Sequence, residues 1–362
     1  MRHSPRNLRL ACDHKGLTHF GGVYFFREFL GVLQFRNFLA RQLTYPRRNR
    51  RYSLSQMILA LVYPLVLGLD RLETVSFLRS NGTFPYLTGL QSFPDPQTLR
   101  RFLLHAPDSF LQQMHRMNDR LLQNFIHLPD HRSRWIFDLD SSVVTVFGRQ
   151  ERAEVGYNPR YRGKRSYHPL LCVEANSSYL WDTELRPGNA GTWDGSVELM
   201  ATCFLNVPRD IRELRVRADA GFGFHPVLEI LETRGAQYAV VARLTQAFKR
   251  LLPGLHYESV NQEWEMAEFE YRPHGWPQAR RFVQIHSRRR TAKHAVYPGT
   301  LRVSRLGDQP GSDAIRDLAL LRRACRHRTA HLRIAGGLCL SQDSHRVICG
   351  QRLIPGNRSP GL

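Results

Sequence analysis

Three aspartates stand where metal chemistry could be done. Asp138 and Asp140 alternate within WIFDLDSS, an apolar run that reads as a buried strand. A strand repeats every two residues, so both carboxylates fall on one face. Asp219 closes a second apolar run, in LRVRADAGF, and Gly221 behind it permits a tight turn. One aspartate after a strand often does no more than cap a turn. Carboxylates converging from two strand ends offer the oxygen ligands that hard divalent cations take. A pair of such ions clamps the attacking and leaving oxygens of an in-line phosphoryl transfer.

The elements that must hold these acids are legible around them. Trp135 to Asp140 and Val143 to Phe147 read as strands, and Tyr167 to Ala175 with Tyr179 to Leu185 reads as a hairpin turning at Asn176-Ser177-Ser178. Asp194 to Leu205 has helical spacing, Leu214 to Ala218 is strand, Phe224 to Arg234 helix and Tyr238 to Ala242 strand. Strands first, then helix, strand, helix, strand, is an α/β order. From Tyr257 to Arg288 short alternating runs, WEMAEFEY and RRFVQI, predict an additional β-rich piece.

Ahead of this core, Leu17 to Leu128 is helical in pattern. Ser53 can cap a helix over Leu54 to Leu67. In FPDPQTLRRFL, Asp95 suits the N-cap and Pro96 the first helical position, with Arg100 and Arg101 close behind. Short helices with arginines near their starts suit docking on DNA, though a plain helical bundle with solvated arginines reads equally well. The whole chain carries 52 Lys and Arg against 31 Asp and Glu, a net charge of +21 over 362 residues, which favours a polyanionic partner. Its six cysteines form no CxxC pair, so neither a zinc knuckle nor a disulfide framework is expected. The most apolar stretch, Leu54 to Leu69, is short for a bilayer and contains Gln56 and Pro64. No secretory signal is visible, and a cytoplasmic, nucleoid-associated protein without membrane contact is the expectation.

Four motifs in order, FDLDSSVVTVFGRQE, VGYNPRYRGKRSYHPLL, LRPGNAGTWDG and VRADAGF, carry a family resemblance that extends over Leu54 to Tyr297. The sequence resembles the DDE transposases of bacterial insertion sequences, transposase DDE domain group 1. The resemblance implies an RNase H-like mixed sheet with flanking helices, a β-rich insertion and a separate helical DNA-binding region. It makes Asp140 the first catalytic acid and Asp219 the second, both holding Mg²⁺ (Mn²⁺ as substitute), with Asp138 as a neighbouring metal-site carboxylate. Double-stranded DNA, as element ends and target, would be the substrate. Synapsis of two ends implies a homodimer. End cleavage would free a 3′-hydroxyl that then attacks target DNA. Between the acids, Lys164 and Arg165 could hold phosphates and Tyr157 could stack on a base. His168, before Pro169, is either a further DNA contact or a satisfied structural histidine. Arg186, in a turn with Gly188 and Asn189, is read as positioning DNA.

The family pattern breaks near the end of the chain. A third acid, a glutamate on a late helix, is required by the resemblance, yet the last glutamate here is Glu270, inside WEMAEFEY. Where the helix belongs, about Leu318 to Arg333, the chain reads LALLRRACRHRTAHLR with no carboxylate. From Ala292 onward there are twelve Lys or Arg, four Asp and no Glu, with poor periodicity of either kind. Codons compatible with the residues from Tyr297, read one base later, can spell a threonine-asparagine strand, a helix and then TEQHILELREDYALAKIPT, which restores the glutamate and an ELR run. A frameshift shortly before Tyr297 accounts for this; a divergent lineage with a replaced tail is the alternative. The expected organisation is a helical DNA-binding region at 1–130, a catalytic core at 131–250, a β-rich insertion at 251–291 and an aberrant, disordered tail at 292–362. The expected function is DNA transposition by metal-dependent phosphoryl transfer, in a chain inactivated by the missing acid. A non-catalytic DNA-binding remnant, or an inhibitor of an active transposase, is the rival.

Overall fold

The computed structural model describes residues 19–47, 51–69, 71–90, 92–125, 134–208, 211–259, 262, 264–287 and 300–303. Two compact units divide the chain between Arg120 and Leu121.

The first unit is helical, as its periodicity predicts: α1 (Gly22–Val32), α2 (Phe35–Gln42), α3 (Leu54–Val66), α4 (Val75–Ser80), α5 (Thr83–Thr88), α6 (Pro96–Leu104) and most of α7 (Asp108–Phe125). Ser53 starts α3 with a full capping box: its hydroxyl accepts from the Gln56 N–H, and the Gln56 side chain accepts from the Ser53 N–H. Asp95 caps α6, accepting from the Gln97 N–H at 2.9 Å, with Pro96 at the first helical position. Leu39, Tyr63, Phe84 and Leu99 are fully buried within this unit. The short α5 escapes sequence reading because TFPYLT has too few residues to show a period.

In the second unit β1 (Arg134–Ser141) leads to a small sheet of β2 (Val144–Thr145), β3 (Glu154–Val155) and β4 (Arg165–Tyr167). Next come the hairpin β5 (Leu170–Glu174) and β6 (Tyr179–Glu184), α8 (Ser196–Leu205), β7 (Glu213–Ala218), α9 (His225–Thr233), β8 (Gln237–Val241) and α10 (Gln246–Leu251). The main sheet begins β6-β5-β1-β7-β8. β1 runs antiparallel to β5 and parallel to β7, and β7 parallel to β8. That order, with one hairpin and two parallel crossovers, is the RNase H-like core expected from the sequence. The pleat sorts its two faces. Trp135, Phe137 and Leu139 join Val216, Ala218, Tyr238 and Val240 in a core covered by Leu199, Met200 and Phe204 of α8 and Val227, Leu228 and Leu231 of α9. The alternate residues of β1 and β7, Asp138, Asp140 and Arg217, take the other face.

The β-rich piece is no separate layer. β9 (Glu258–Ser259), β10 (Trp264–Tyr271) and β11 (Arg280–Ser287) continue the main sheet, and β12 (Thr300–Val303) joins β11 to β8, antiparallel to both, in a nine-stranded whole. Phe269 and Phe282, stacked with centroids 5.8 Å apart, meet Phe248 of α10 and carry the core into this extension. Within residues 292–362, where periodicity of either kind is poor, β12 is a short strand: two neighbouring strand edges give four residues a ladder. The rest of that segment, 292–299 and 304–362, lies outside the described residues, as does the carboxylate-free stretch Leu318 to Arg333. No described helix is long and apolar enough to cross a membrane.

Candidate active site

Asp140 and Asp219 are brought to neighbouring strand ends by register alone. Leu139 pairs with Ala218 across the parallel β1–β7 ladder, so the next residue on each strand is one of the two acids. Neighbouring strands lie about 4.8 Å apart, which puts both carboxyl groups within reach of a shared ligand. Each carboxylate is oriented by its own turn. Asp140 Oδ1 accepts from the Ser141 N–H at 2.8 Å, and Asp219 Oδ1 from the Gly221 N–H at 2.8 Å. Gly221 is needed there: a Cβ at that position would sit 2.9 Å from Asp219 Oδ1 and 2.7 Å from the Thr192 methyl.

Asp138 occupies a different environment from its neighbour two residues on. It is the register partner of Arg217, and the two form a bidentate pair, Nε to Oδ1 and Nη2 to Oδ2 at 2.6 Å, with side chains only 8% and 3% exposed. Both oxygens of Asp138 are thereby engaged by the guanidinium. At the far end the same strands are tied by Arg134 to Glu213. Burial pushes the Glu213 carboxyl up, but hydrogen bonds from Arg134 and Arg215 outweigh it and hold the group below the usual range. Sequence reading missed Arg217, although an arginine inside an apolar strand, on the face that carries the acids, is a signal for a buried partner.

The motif between the acids folds as a basic flap, the β2-β4-β3 sheet. Tyr157 is exposed at its rim, with Lys164 and Arg165 exposed beside it. Arg165 also donates to the Ala153 carbonyl at 3.0 Å. Asn158 holds the loop, donating to Thr145 Oγ1 at 2.8 Å and accepting from the Tyr161 N–H at 3.0 Å. The flap is locked to the turn after β6 by backbone contact: a Cβ on Gly156 would fall 1.8 Å from the Gly188 carbonyl oxygen, so only glycine fits. His168 and Arg186, expected against DNA, are buried at this junction. His168 Nδ1 lies 2.8 Å from the Ala190 carbonyl. Arg186 donates to the carbonyls of His168 at 3.0 Å and Gly191 at 2.7 Å, and to that of Asp194. Their polar atoms serve the turn instead of facing outward. In the helical unit Arg100 is half exposed and paired with Glu73, and Arg101 is exposed with its Nε 3.4 Å from the Gln97 carbonyl.

Two carboxylates on adjacent strand ends suit a hard divalent cation. Among the described residues no group of three His, Cys, Asp or Glu is placed to hold a metal. Asp140 and Asp219 offer two carboxylates there, fewer than such a group.

The family profile of the transposase DDE domain group 1 matches residues 2–298. No curated protein matches the chain by sequence. Among solved structures, a piggyBac transposase in a synaptic complex with hairpin DNA is similar at 10% identity and a TM-score of 0.44, over 90% of this chain and 69% of that one.

Proposed function

Because the chain belongs to the transposase DDE domain group 1 family, we propose that it derives from the transposase of a bacterial insertion sequence, with Asp140 and Asp219 as its catalytic acids. The observation that carries this reading is the β1–β7 register, which sets the two acids on adjacent strand ends. Bound there, Mg²⁺ or Mn²⁺ would activate water and offset charge at the scissile phosphorus. The protein's own part is to hold the carboxylates still. Asp140 and Asp219 present oxygens fixed by the Ser141 and Gly221 amides, and the flap residues Tyr157, Lys164 and Arg165 meet the DNA backbone and bases. His168 and Arg186 act behind that surface, holding the turn that the flap rests on.

This chain lacks the third acid. The family match ends at residue 298, and no glutamate follows Glu270. Both facts favour a shifted reading frame from shortly before Tyr297. The chain as it stands then binds DNA and cleaves poorly or not at all, which is the behaviour of a remnant that occupies element ends.

Strand cleavage of an element-end duplex in Mg²⁺ or Mn²⁺, measured for this chain and for a version with the frame restored, tests the reading. Cleavage only by the restored version, abolished by Asp140→Ala or Asp219→Ala, is expected. Equal cleavage by both, abolished by Asp140→Ala, would show that another residue supplies the third ligand. Binding should weaken steeply with salt, with a slope of about 0.9 in log affinity per phosphate neutralised. A flat response counts against DNA as the partner.

A further inference from the structure

Near Asp219 lies an aromatic side chain, Trp193 of the LRPGNAGTWDG motif, that the cleavage reading leaves without a role. Trp193 is 52% exposed, an unusual position for an indole, and sits in the turn between β6 and α8. That turn is built to be rigid. The Gly191 N–H donates to Asp194 Oδ2 at 2.7 Å, and the Asp194 N–H donates back to the Gly191 carbonyl at 3.1 Å. Ser196 Oγ donates to the Trp193 carbonyl at 2.9 Å, and buried Arg186 grips the Gly191 carbonyl from below. The benzo edge of the indole rests on Gly191, where a Cβ would come within 2.5 Å of Cζ2. The exposed ring is thus held in place before anything binds it, so little ordering cost remains.

Its surroundings say what it would take. Thr192 touches the turn at Gly221, directly behind Asp219. Arg243, exposed at the end of β8, places its guanidinium 5.9 Å from the indole centroid and donates through Nε to the carbonyl of Ala220, the residue after Asp219, at 3.1 Å. A half-exposed indole with a guanidinium over its ring, at the lip of a carboxylate pair, matches a base and its phosphate. Aromatic stacking of this kind accepts any base, because every base has a π-face.

We propose that Trp193 and Arg243 form a nucleotide platform: Trp193 stacks on an unpaired base next to the scissile phosphate, and Arg243 contacts the adjoining phosphate. This rests on the reading of Asp140 and Asp219 as the DNA-cleaving acids, but its test does not require cleavage.

The experiment uses the full chain and two probes of equal length, a blunt duplex and a fork with three unpaired nucleotides carrying 2-aminopurine. The wild type should bind the fork more tightly and quench the 2-aminopurine. Trp193→Ala should lower the fork-to-blunt affinity ratio about tenfold, equivalent to about 1.4 kcal/mol, and abolish the quenching. Trp193→Phe should keep most of both. Arg243→Ala should lower the salt slope on the fork by about 0.9, one phosphate's worth. A ratio unchanged in Trp193→Ala, or lost equally in Trp193→Phe, overturns the platform while leaving DNA binding intact. Trp193→Ala that instead changes the sedimentation of the free chain assigns the indole to a protein contact, and also overturns it. Failure of the wild type to bind either probe would overturn the DNA reading itself.

Discussion

Two arginine–carboxylate pairs inside the second unit look alike in chemistry and differ in setting. Arg217 and Asp138 face each other across adjacent parallel strands, 3% and 8% exposed. Arg280 of β11 reaches Glu232 on α9 with Nε at 2.7 Å, and there the carboxylate is 22% exposed while the arginine is 1%. The first pair joins two strands two residues before each of the acids. The second fastens the sheet extension to the core, with Trp276 under the guanidinium at 4.8 Å and the Tyr238 hydroxyl donating to Glu232 at 2.6 Å. A dry ladder pair has no water to replace a lost partner, so it fixes geometry firmly and fails expensively. A pair with one wet side bends more easily and serves as attachment.

The sharpest break in this comparison is Arg217→Met, which strands a buried carboxylate and should destabilise by about 3–5 kcal/mol in denaturant titration. Joining it with Asp138→Leu should recover most of that loss, since an apolar pair of similar volume often substitutes for a buried ion pair. If the pair also positions the acids, the double variant made in the frame-restored protein regains stability without regaining cleavage. Full recovery of both would reduce the pair to a packing element.

Arg280→Met should cost less, about 2 kcal/mol, in the range of hydrogen bonds to charged groups, and the loss should appear first as faster amide exchange in β10 and β11. A loss equal to that of Arg217→Met would erase the distinction between the dry and wet settings.

Smaller still is the pH effect of Glu232. Burial pushes its carboxyl up, but hydrogen bonds from Arg280 and Tyr238 more than reverse this and hold it below its ordinary value. Its folded form therefore binds a proton less readily than its unfolded form. The stabilisation is complete above the unfolded value of about 4.3 and is lost as pH falls through the lower folded one. Glu232→Gln should flatten that acid limb of the stability curve, and an unchanged limb would place the carboxyl outside the linkage. At the bottom of the scale stands Arg79 with Asp95 in the helical unit, 49% and 47% exposed. Arg79→Ala should cost under about 1 kcal/mol, whereas Asp95→Ala also removes the α6 cap and should cost about 1.

The order of the core sheet was legible, because its strands are apolar runs and its helices have clear periods. The acids on β1 and at the end of β7 were legible for the same reason: strand period and strand end are local properties. The Asp138–Arg217 pair was not, since its members stand 79 residues apart and only the register unites them. His168 and Arg186 show the opposite difficulty. Basic residues in a basic loop read as outward-facing, and nothing local tells that these two are buried and bond to the carbonyls of their own turn. The β-rich piece was recognised, but its fusion with the core sheet depends on β12, whose four residues are too few to announce themselves.

That bridging strand has a consequence for the order of synthesis. β12 comes last in the chain among the described strands, yet it lies in the middle of the sheet, between β8 and β11. A nascent chain leaving the ribosome therefore finishes the core and the β9–β11 meander while both still present bare edges toward each other. Bare edges pair readily with any other strand nearby. Until Val303 has emerged, pairing of those edges with a neighbouring chain competes with the ladder that β12 completes.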